Sequence, residues 1–205
     1  MKIKQQTKIN KFLIDYLGNE KGKTVFDKQE GILNAIISNT KNKTKNQIKT
    51  LKQTIYPRIA LYKALMELGY TNATEIVRKY MIDVIAKEKH ESTSRMEKVP
   101  GFYHIYSNIF LKIMKTTDLQ VSETLKGKGY YDVTIKKCLW HDACVENDCA
   151  DLCKLFCDVD DVTYGGLKKI GFSRTKTLGY GGDCCDFHFY QKFKLYDDFG
   201  NSIDD

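Results

Sequence analysis

The fold is decided at Tyr130-Tyr-Asp-Val-Thr-Ile-Lys-Lys-Cys-Leu-Trp140, where the spacing of the hydrophobic residues changes. This stretch is rich in β-branched and aromatic residues and alternates in part between apolar and polar ones, which predicts a β-strand. The sequence before it repeats its hydrophobic residues at helical spacing instead. The change near Gly127 therefore predicts an α+β fold, in which a helical N-terminal half packs with a small antiparallel sheet.

Upstream of this change, the hydrophobic spacing predicts a series of helices over residues 3–115. Gly18 follows the first apolar stripe and should end the first helix. Pro57 falls inside a longer stripe, so we expect a kink or a break in the helix there. Asn72-Ala-Thr-Glu75 resembles a capping box and should open another helix.

Downstream, the pattern predicts one helix followed by a hairpin. Residues 143–156 place several apolar side chains and thiols on one helical face. Strands are predicted near residues 130–140, 171–178 and 184–193, and the glycines of residues 179–182 favour a turn that makes the last two strands antiparallel. The acidic residues from Asp197 onward are typical of a mobile tail.

The composition indicates a soluble protein. The chain has 205 residues and no apolar run near the roughly 20 residues that a membrane span needs. Its first residues lack the apolar core of a signal peptide. We therefore expect a cytoplasmic protein that does not contact membranes.

The charge is unevenly distributed along the chain. Residues 1–60 contain thirteen Lys and Arg against four Asp and Glu, whereas residues 138–205 contain seven against thirteen. A basic surface can attract nucleic acid. Here the lysines are dispersed among helix-forming residues rather than grouped with aromatic ones, which is typical of a solvated helix face. We therefore expect no nucleic-acid partner.

All seven cysteines lie between Cys138 and Cys185. The odd count and the expected cytoplasmic location favour reduced thiols over a disulfide framework. Most of the seven would then be small buried hydrophobic residues. Zinc is the candidate cofactor, and its candidate ligands are Cys157 and Cys185 with Cys138 or His141, although no Cys-x2-Cys pair supports it.

Other chemically active side chains follow the same segment. Asp158, Asp160 and Asp161 form the densest acidic cluster, which could supply a general base or belong to a solvated helix end. His141 lies close to Cys138 and is a second candidate for proton transfer. Arg174 is the one arginine of this acidic third, where it suits a bound carboxylate or an acidic neighbour.

Four groups of residues occur in a recognisable order: Tyr56-Pro57 with Ile59-Ala-Leu-Tyr-Lys-Ala-Leu65; Lys98-Val-Pro-Gly-Phe-Tyr103; Cys138-Leu-Trp140 with Phe156-Cys-Asp-Val-Asp-Asp161; and Phe172-Ser-Arg174 with Thr177-Leu-Gly-Tyr-Gly-Gly-Asp-Cys-Cys-Asp-Phe187. Together they resemble the L-2-amino-thiazoline-4-carboxylic acid hydrolase family. The resemblance also suggests kinship with small-molecule-binding domains of the four-vinyl-reductase type. It implies an N-terminal helical extension over residues 1–44, a hydrolase-like α+β domain over 45–193 and an acidic tail over 194–205.

The resemblance implies an enzyme that opens a small cyclic amidine or isothiourea acid and releases a carbamoylated cysteine. On this interpretation Cys157 or Cys185 is the nucleophile and Asp160 or His141 is the base. Substrate contacts are then expected from Arg174, Thr177 and Cys138. The alternative is a non-catalytic domain that senses or carries a small molecule or a metal.

Overall fold

The structure is a computed structural model that describes residues 3–192 and, further on, two short strands. Its architecture is α+β, as the change of hydrophobic spacing predicts. The helices before the sheet are α1 (Lys4–Leu17), α2 (Asn19–Asn39), α3 (Lys45–Thr50), α4 (Tyr56–Glu67), α5 (Ala73–Lys79), α6 (Lys87–Met96) and α7 (Phe102–Thr116). No helix in this described part of the chain is long and apolar enough to cross a membrane.

The helix around Pro57 is not broken. A π-helical segment, Leu51–Ile55, joins α3 to α4, and Pro57 lies in the first turn of α4. The π-helical segment directly before it already departs from the regular i→i−4 hydrogen bonds that a proline would interrupt, so the proline is accommodated without a break. The expected break is therefore absent, and the local change of helical register precedes the proline. A second π-helical segment, Tyr80–Ala86, joins α5 to α6.

Two predictions about helix ends had different outcomes. Gly18 ends α1 with φ at +83°, a conformation that favours glycine. Asn72 precedes α5 as predicted, but its side chain makes no capping hydrogen bond, so the predicted capping box is wrong. A capping box forms instead at the start of α3, between Thr44 and Gln47.

A four-stranded antiparallel sheet has the order β1-β2-β4-β3. Its strands are β1 (Gln120–Gly127), β2 (Tyr130–Cys138), β3 (Ile170–Ser173) and β4 (Cys185–Gln191). The predicted hairpin is present, because β3 pairs with β4. Its strand near 171–178 is shorter than predicted, and the connection continues through a 3-10 turn at Leu178–Tyr180.

The predicted helix over residues 143–156 is two helices. They are α8 (Leu139–Glu146) and α9 (Cys153–Tyr164), joined through a 3-10 turn at Ala150–Leu152. The break coincides with Asp148, which has a φ of 54° that a helix cannot contain. Because α8 begins directly after β2, Trp140 lies in a helix rather than in the predicted strand.

The core consists of two hydrophobic clusters. One combines α1, α2, α4 and α5 with the two π-helical segments, α8 and α9, and the other lies between α7, the sheet and the end of α9. The division at residues 44 and 45 stays a prediction. The predicted acidic tail lies outside the described residues, apart from the paired strands β5 (Leu195–Tyr196) and β6 (Ser202–Ile203).

Candidate functional site

A cavity of about 240 Å³ lies where α9 meets the sheet, and members of both core clusters line it. Aliphatic and aromatic side chains form most of its wall. The chemically active residues of its lining come from α4, α6, α8, α9, β4 and the end of β2: Arg58, Lys89, Cys138, His141, Cys153, Cys157, Asp160 and Cys185. A larger and more open groove of about 670 Å³ between α2 and α8 has no thiol in its lining.

The structure brings five of the predicted site residues together in this cavity. They are Cys138, His141, Cys157, Asp160 and Cys185. They reach it from separate elements, since β2 ends at Cys138, α8 carries His141, α9 carries Cys157 and Asp160, and β4 begins with Cys185. The other two predicted residues, Arg174 and Thr177, are not part of the lining.

The loop between β3 and β4 contacts α9 closely beside the thiols. A Cβ atom at Gly179 would lie 2.8 Å from the Cys157 sulfur and 3.1 Å from the Cys153 carbonyl oxygen. The Leu178 N–H donates to the Cys185 sulfur at 3.3 Å. A glycine at position 179 therefore allows the loop to approach α9 closely, and it also belongs to the predicted turn.

Three of the four cavity thiols are difficult to ionise. Burial raises the pKa of Cys138 to about 12 and also raises the pKa of Cys185. The pKa of Cys157 is raised because its thiol donates to Cys153 and because it is buried. The pKa of Cys153 is lowered, since the thiols of Cys144 and Cys157 donate to its sulfur. The two predicted nucleophiles are thus weakly ionised near neutral pH.

Of the acidic cluster, Asp160 alone lines the cavity. Its carboxylate makes no hydrogen bond or ion pair with the described residues. Burial raises the pKa of Asp160 to about 6, an effect that Lys89 and Arg174 partly offset. A carboxylate with such a pKa can accept a proton near neutral pH and release it again.

The two neighbouring acids have partners elsewhere. Asp158 pairs with Arg78 and accepts a hydrogen bond of 2.7 Å from the Tyr180 hydroxyl. Asp161 pairs with Arg174 at 2.5 Å. The sequence alone could not separate the three acids, because their roles depend on which face of α9 each one occupies.

Arg174 is held behind the cavity wall. Its Nη2 donates to Asp161 and to the Cys157 carbonyl oxygen at 3.0 Å, and its guanidinium lies over the rings of Phe172 and Phe187. Thr177 is buried and accepts a hydrogen bond of 3.3 Å from the Tyr180 N–H. Both residues stabilise the loop beside the thiols, and their predicted contacts with a substrate stay predictions.

Sequence reasoning missed two cations of the lining, Arg58 in α4 and Lys89 in α6. Only 2% of the Arg58 surface is exposed. A signal for Arg58 was present, because an arginine three residues after Ile55 falls on the buried stripe of its helix. Lys89 has no such signal, since it lies among polar residues of α6.

The metal prediction has no support from ligand geometry within residues 3–192. No group of three or more His, Cys, Asp or Glu side chains there could hold a metal ion. The zinc ligands expected from the sequence, Cys157 and Cys185 with Cys138 or His141, share the cavity. Zinc itself stays a prediction that metal analysis of the purified protein would test.

The chain is similar to a known protein family over most of its length. The family model for L-2-amino-thiazoline-4-carboxylic acid hydrolase matches residues 48–189. A search of the curated proteins found no match. A solved structure of the H-NOX protein from K. algicida, in its Fe(II) unliganded form, is 12% identical over 96% of this chain and 99% of that chain, with a TM-score of 0.35. A mutant of that protein gives a TM-score of 0.31 at 12% identity, over 92% and 95% of the chains.

Proposed function

The chain belongs to the L-2-amino-thiazoline-4-carboxylic acid hydrolase family, and on this premise we propose that it opens the ring of a small cyclic amidine or isothiourea acid. The representative substrate is 2-amino-thiazoline-4-carboxylate, and the product is a carbamoyl-cysteine. The observation that carries the proposal is the unpaired Asp160 carboxylate in a cavity of small-molecule size.

Asp160 is suited to activate water. Its pKa of about 6 leaves most of the carboxylate ionised at neutral pH, yet it is basic enough to accept a proton. The apolar wall of the cavity keeps competing water away and strengthens electrostatic interactions inside it. Water activated by this carboxylate can attack without either of the weakly ionised thiols, Cys157 and Cys185.

The reaction consumes one water molecule. Asp160 accepts a proton from the water, and the water oxygen forms a bond to the ring carbon between nitrogen and sulfur. The bond from that carbon to the ring sulfur then breaks, and the departing thiolate takes up the proton from Asp160. The second proton of the water passes to the ring nitrogen that was double-bonded to this carbon. The water oxygen becomes the carbonyl oxygen of N-carbamoyl-cysteine, which carries a free thiol.

The thiols take supporting roles in this proposal. Cys157 and Cys185, the nucleophiles expected from the sequence, both have raised pKa values, so few of their sulfurs are thiolates at neutral pH. His141 also lines the cavity and is the second candidate for proton transfer to the departing sulfur.

The test is turnover of 2-amino-thiazoline-4-carboxylate, followed through the release of a free thiol. We expect Asp160→Asn to lower kcat by roughly 100- to 10,000-fold, as removal of a general base does. Asp151→Asn, the same change at an exposed aspartate outside the cavity, should keep wild-type turnover. Cys157→Ser and Cys185→Ser should each keep most of the activity.

Other outcomes change the proposal in defined ways. If either serine variant loses turnover while staying folded, the thiol is the nucleophile and water activation by Asp160 is wrong. If the wild-type protein binds small cyclic acids but opens none of them, the protein is the non-catalytic binding domain of the alternative interpretation.

A further inference from the structure

Arg58 is a buried cation without an anionic partner in the described part of the chain. Its Nε atom is inaccessible and has no hydrogen-bond acceptor, and no aspartate or glutamate lies within ion-pair distance of its guanidinium. Its nearest aromatic contact is the ring of Phe156, 5.4 Å from Cζ. Burial lowers the pKa of Arg58 to about 10, which still leaves it charged at neutral pH.

Such a residue is costly for the unliganded protein. Removing a charge from water carries a large penalty, and proteins normally offset it with a counter-ion and hydrogen bonds. Arg174, the other arginine near the cavity, has this compensation from Asp161. Arg58 lacks it, and Arg58 is the arginine that lines the cavity.

The charges around the cavity indicate what would compensate Arg58. Its lining has two basic side chains, Arg58 and Lys89, one carboxylate, Asp160, and the Cys153 thiol, whose pKa is lowered. The ammonium group of Lys89 also lacks an ion-pair partner in the described part of the chain. Lys89 is attracted by Asp160, whereas Arg58 is buried with no acid beside it, so an anionic ligand would compensate Arg58.

We infer that Arg58 binds the carboxylate of the ligand that occupies this cavity. A planar guanidinium can donate two parallel hydrogen bonds to a carboxylate, and this geometry would satisfy donors that have no acceptor in the protein. With the carboxylate at Arg58, the rest of a small ring lies among the apolar wall, Asp160 and the thiols. The anion site rests on the geometry described here, and the identity of its ligand rests on the proposed function.

The test compares two compounds that contain no amidine carbon and so cannot be opened by the proposed reaction. They are thiazolidine-4-carboxylate and its uncharged carboxamide, with binding to the full chain measured by isothermal titration calorimetry. We expect the wild-type protein to bind the carboxylate roughly 10- to 100-fold more tightly, since hydrogen bonds to charged groups are strong. Arg58→Met should remove this preference. The matched control is Arg95→Met, at an exposed arginine of α6, which should retain it.

Thermal unfolding of the ligand-free protein gives a second readout. Because Arg58 has no counter-ion in the protein, we expect Arg58→Met to raise the unfolding temperature by a few degrees. A lower unfolding temperature would assign Arg58 a structural role and overturn the inference. Equal binding of both compounds by the wild type, or an unchanged preference in Arg58→Met, would also overturn it.

This experiment separates the two proposals. A wild type that prefers the carboxylate through Arg58, but does not open 2-amino-thiazoline-4-carboxylate, retains the anion site and loses the hydrolysis. Turnover of that substrate, together with an unchanged preference in Arg58→Met, retains the hydrolysis and loses the anion site.

Discussion

The two halves of the chain contribute opposite charges to one cavity. The acidic C-terminal third supplies the thiols, His141 and the unpaired Asp160, whereas the basic N-terminal helices supply Arg58 and Lys89. Arg58 and Asp160 both line the cavity, and neither is exposed or part of an ion pair among the described residues. The comparison teaches that a dense cluster of reactive residues in the sequence marks only part of a site. The remainder can come from a single charged residue in an apolar stripe.

The largest effect expected from this division is a dependence of activity on pH that arises in the C-terminal half. If Asp160 is the base, its protonation below pH 6 should lower kcat/KM by about tenfold for each pH unit. The measurement is a pH profile of turnover for the wild type and for Asp160→Asn. The variant's residual activity should lack this step, and a variant that keeps the step would assign it to another group.

Stability should follow the opposite trend. The pKa of Asp160 is raised from 3.8 to about 6 on folding, so the folded state holds this proton more tightly than the unfolded state does. Ionising Asp160 therefore destabilises the fold progressively between about pH 4 and pH 6, and the full penalty is present above that window. Asp160→Asn removes the penalty, so its gain in unfolding free energy should be largest at pH 7 and vanish near pH 4.

A smaller effect is expected from glycine-to-alanine changes at two close contacts, one in each half of the chain. A Cβ at Gly22 in α2 would lie 2.6 Å from the Leu13 carbonyl oxygen, and one at Gly179 would lie 2.8 Å from the Cys157 sulfur. Each glycine-to-alanine change should cost about 1–3 kcal/mol of unfolding free energy through overpacking. Only Gly179→Ala should also alter KM and kcat, because only that contact adjoins the cavity.

Gly31→Ala is the control for both variants, since Gly31 lies in α2 with open space around the added carbon. It should leave turnover unchanged and raise stability slightly, because alanine favours a helix. Denaturant unfolding and steady-state kinetics below the unfolding temperature measure the two effects. Altered kinetics in Gly22→Ala would contradict the separation of a structural contact from a site contact.

Hydrophobic spacing was sufficient for the fold class and most helices, because buried faces repeat with the period of their element. It failed at β1. That strand exposes Val121 and Leu125 to solvent and turns Ser122 and Thr124 inward, the reverse of the pattern by which a strand is recognised. Its position is set by pairing with β2, which is a contact between strands rather than a property of either sequence.

The site was predicted in part for a similar reason. Reactive residue types at the ends of elements led to Cys138, Cys157, Cys185, Asp160 and His141, and these share the cavity. Which of the three acids is unpaired depends on the face of α9 that each one occupies. The position of Arg58 in the site depends on how α4 packs against α9, where Arg58 lies beside Phe156. Both are consequences of tertiary packing, which local sequence patterns do not encode.

The smallest effect expected concerns the basic surface of the N-terminal half. Lys11 pairs with Asp15 at 2.7 Å on α1, and both side chains are largely exposed. Exposed pairs of this kind contribute at most about 0.5 kcal/mol, because water and salt screen them. Lys11→Gln should therefore leave kcat/KM unchanged and lower the unfolding free energy by no more than that.

Arg58→Met also removes one positive charge, yet it should raise stability and abolish carboxylate preference. Thermal unfolding and turnover at low and high salt compare the two variants. A change of turnover in Lys11→Gln that disappears at high salt would show that the basic surface attracts the anionic substrate. Arg58 and Lys89 would then not be the sole source of the N-terminal contribution.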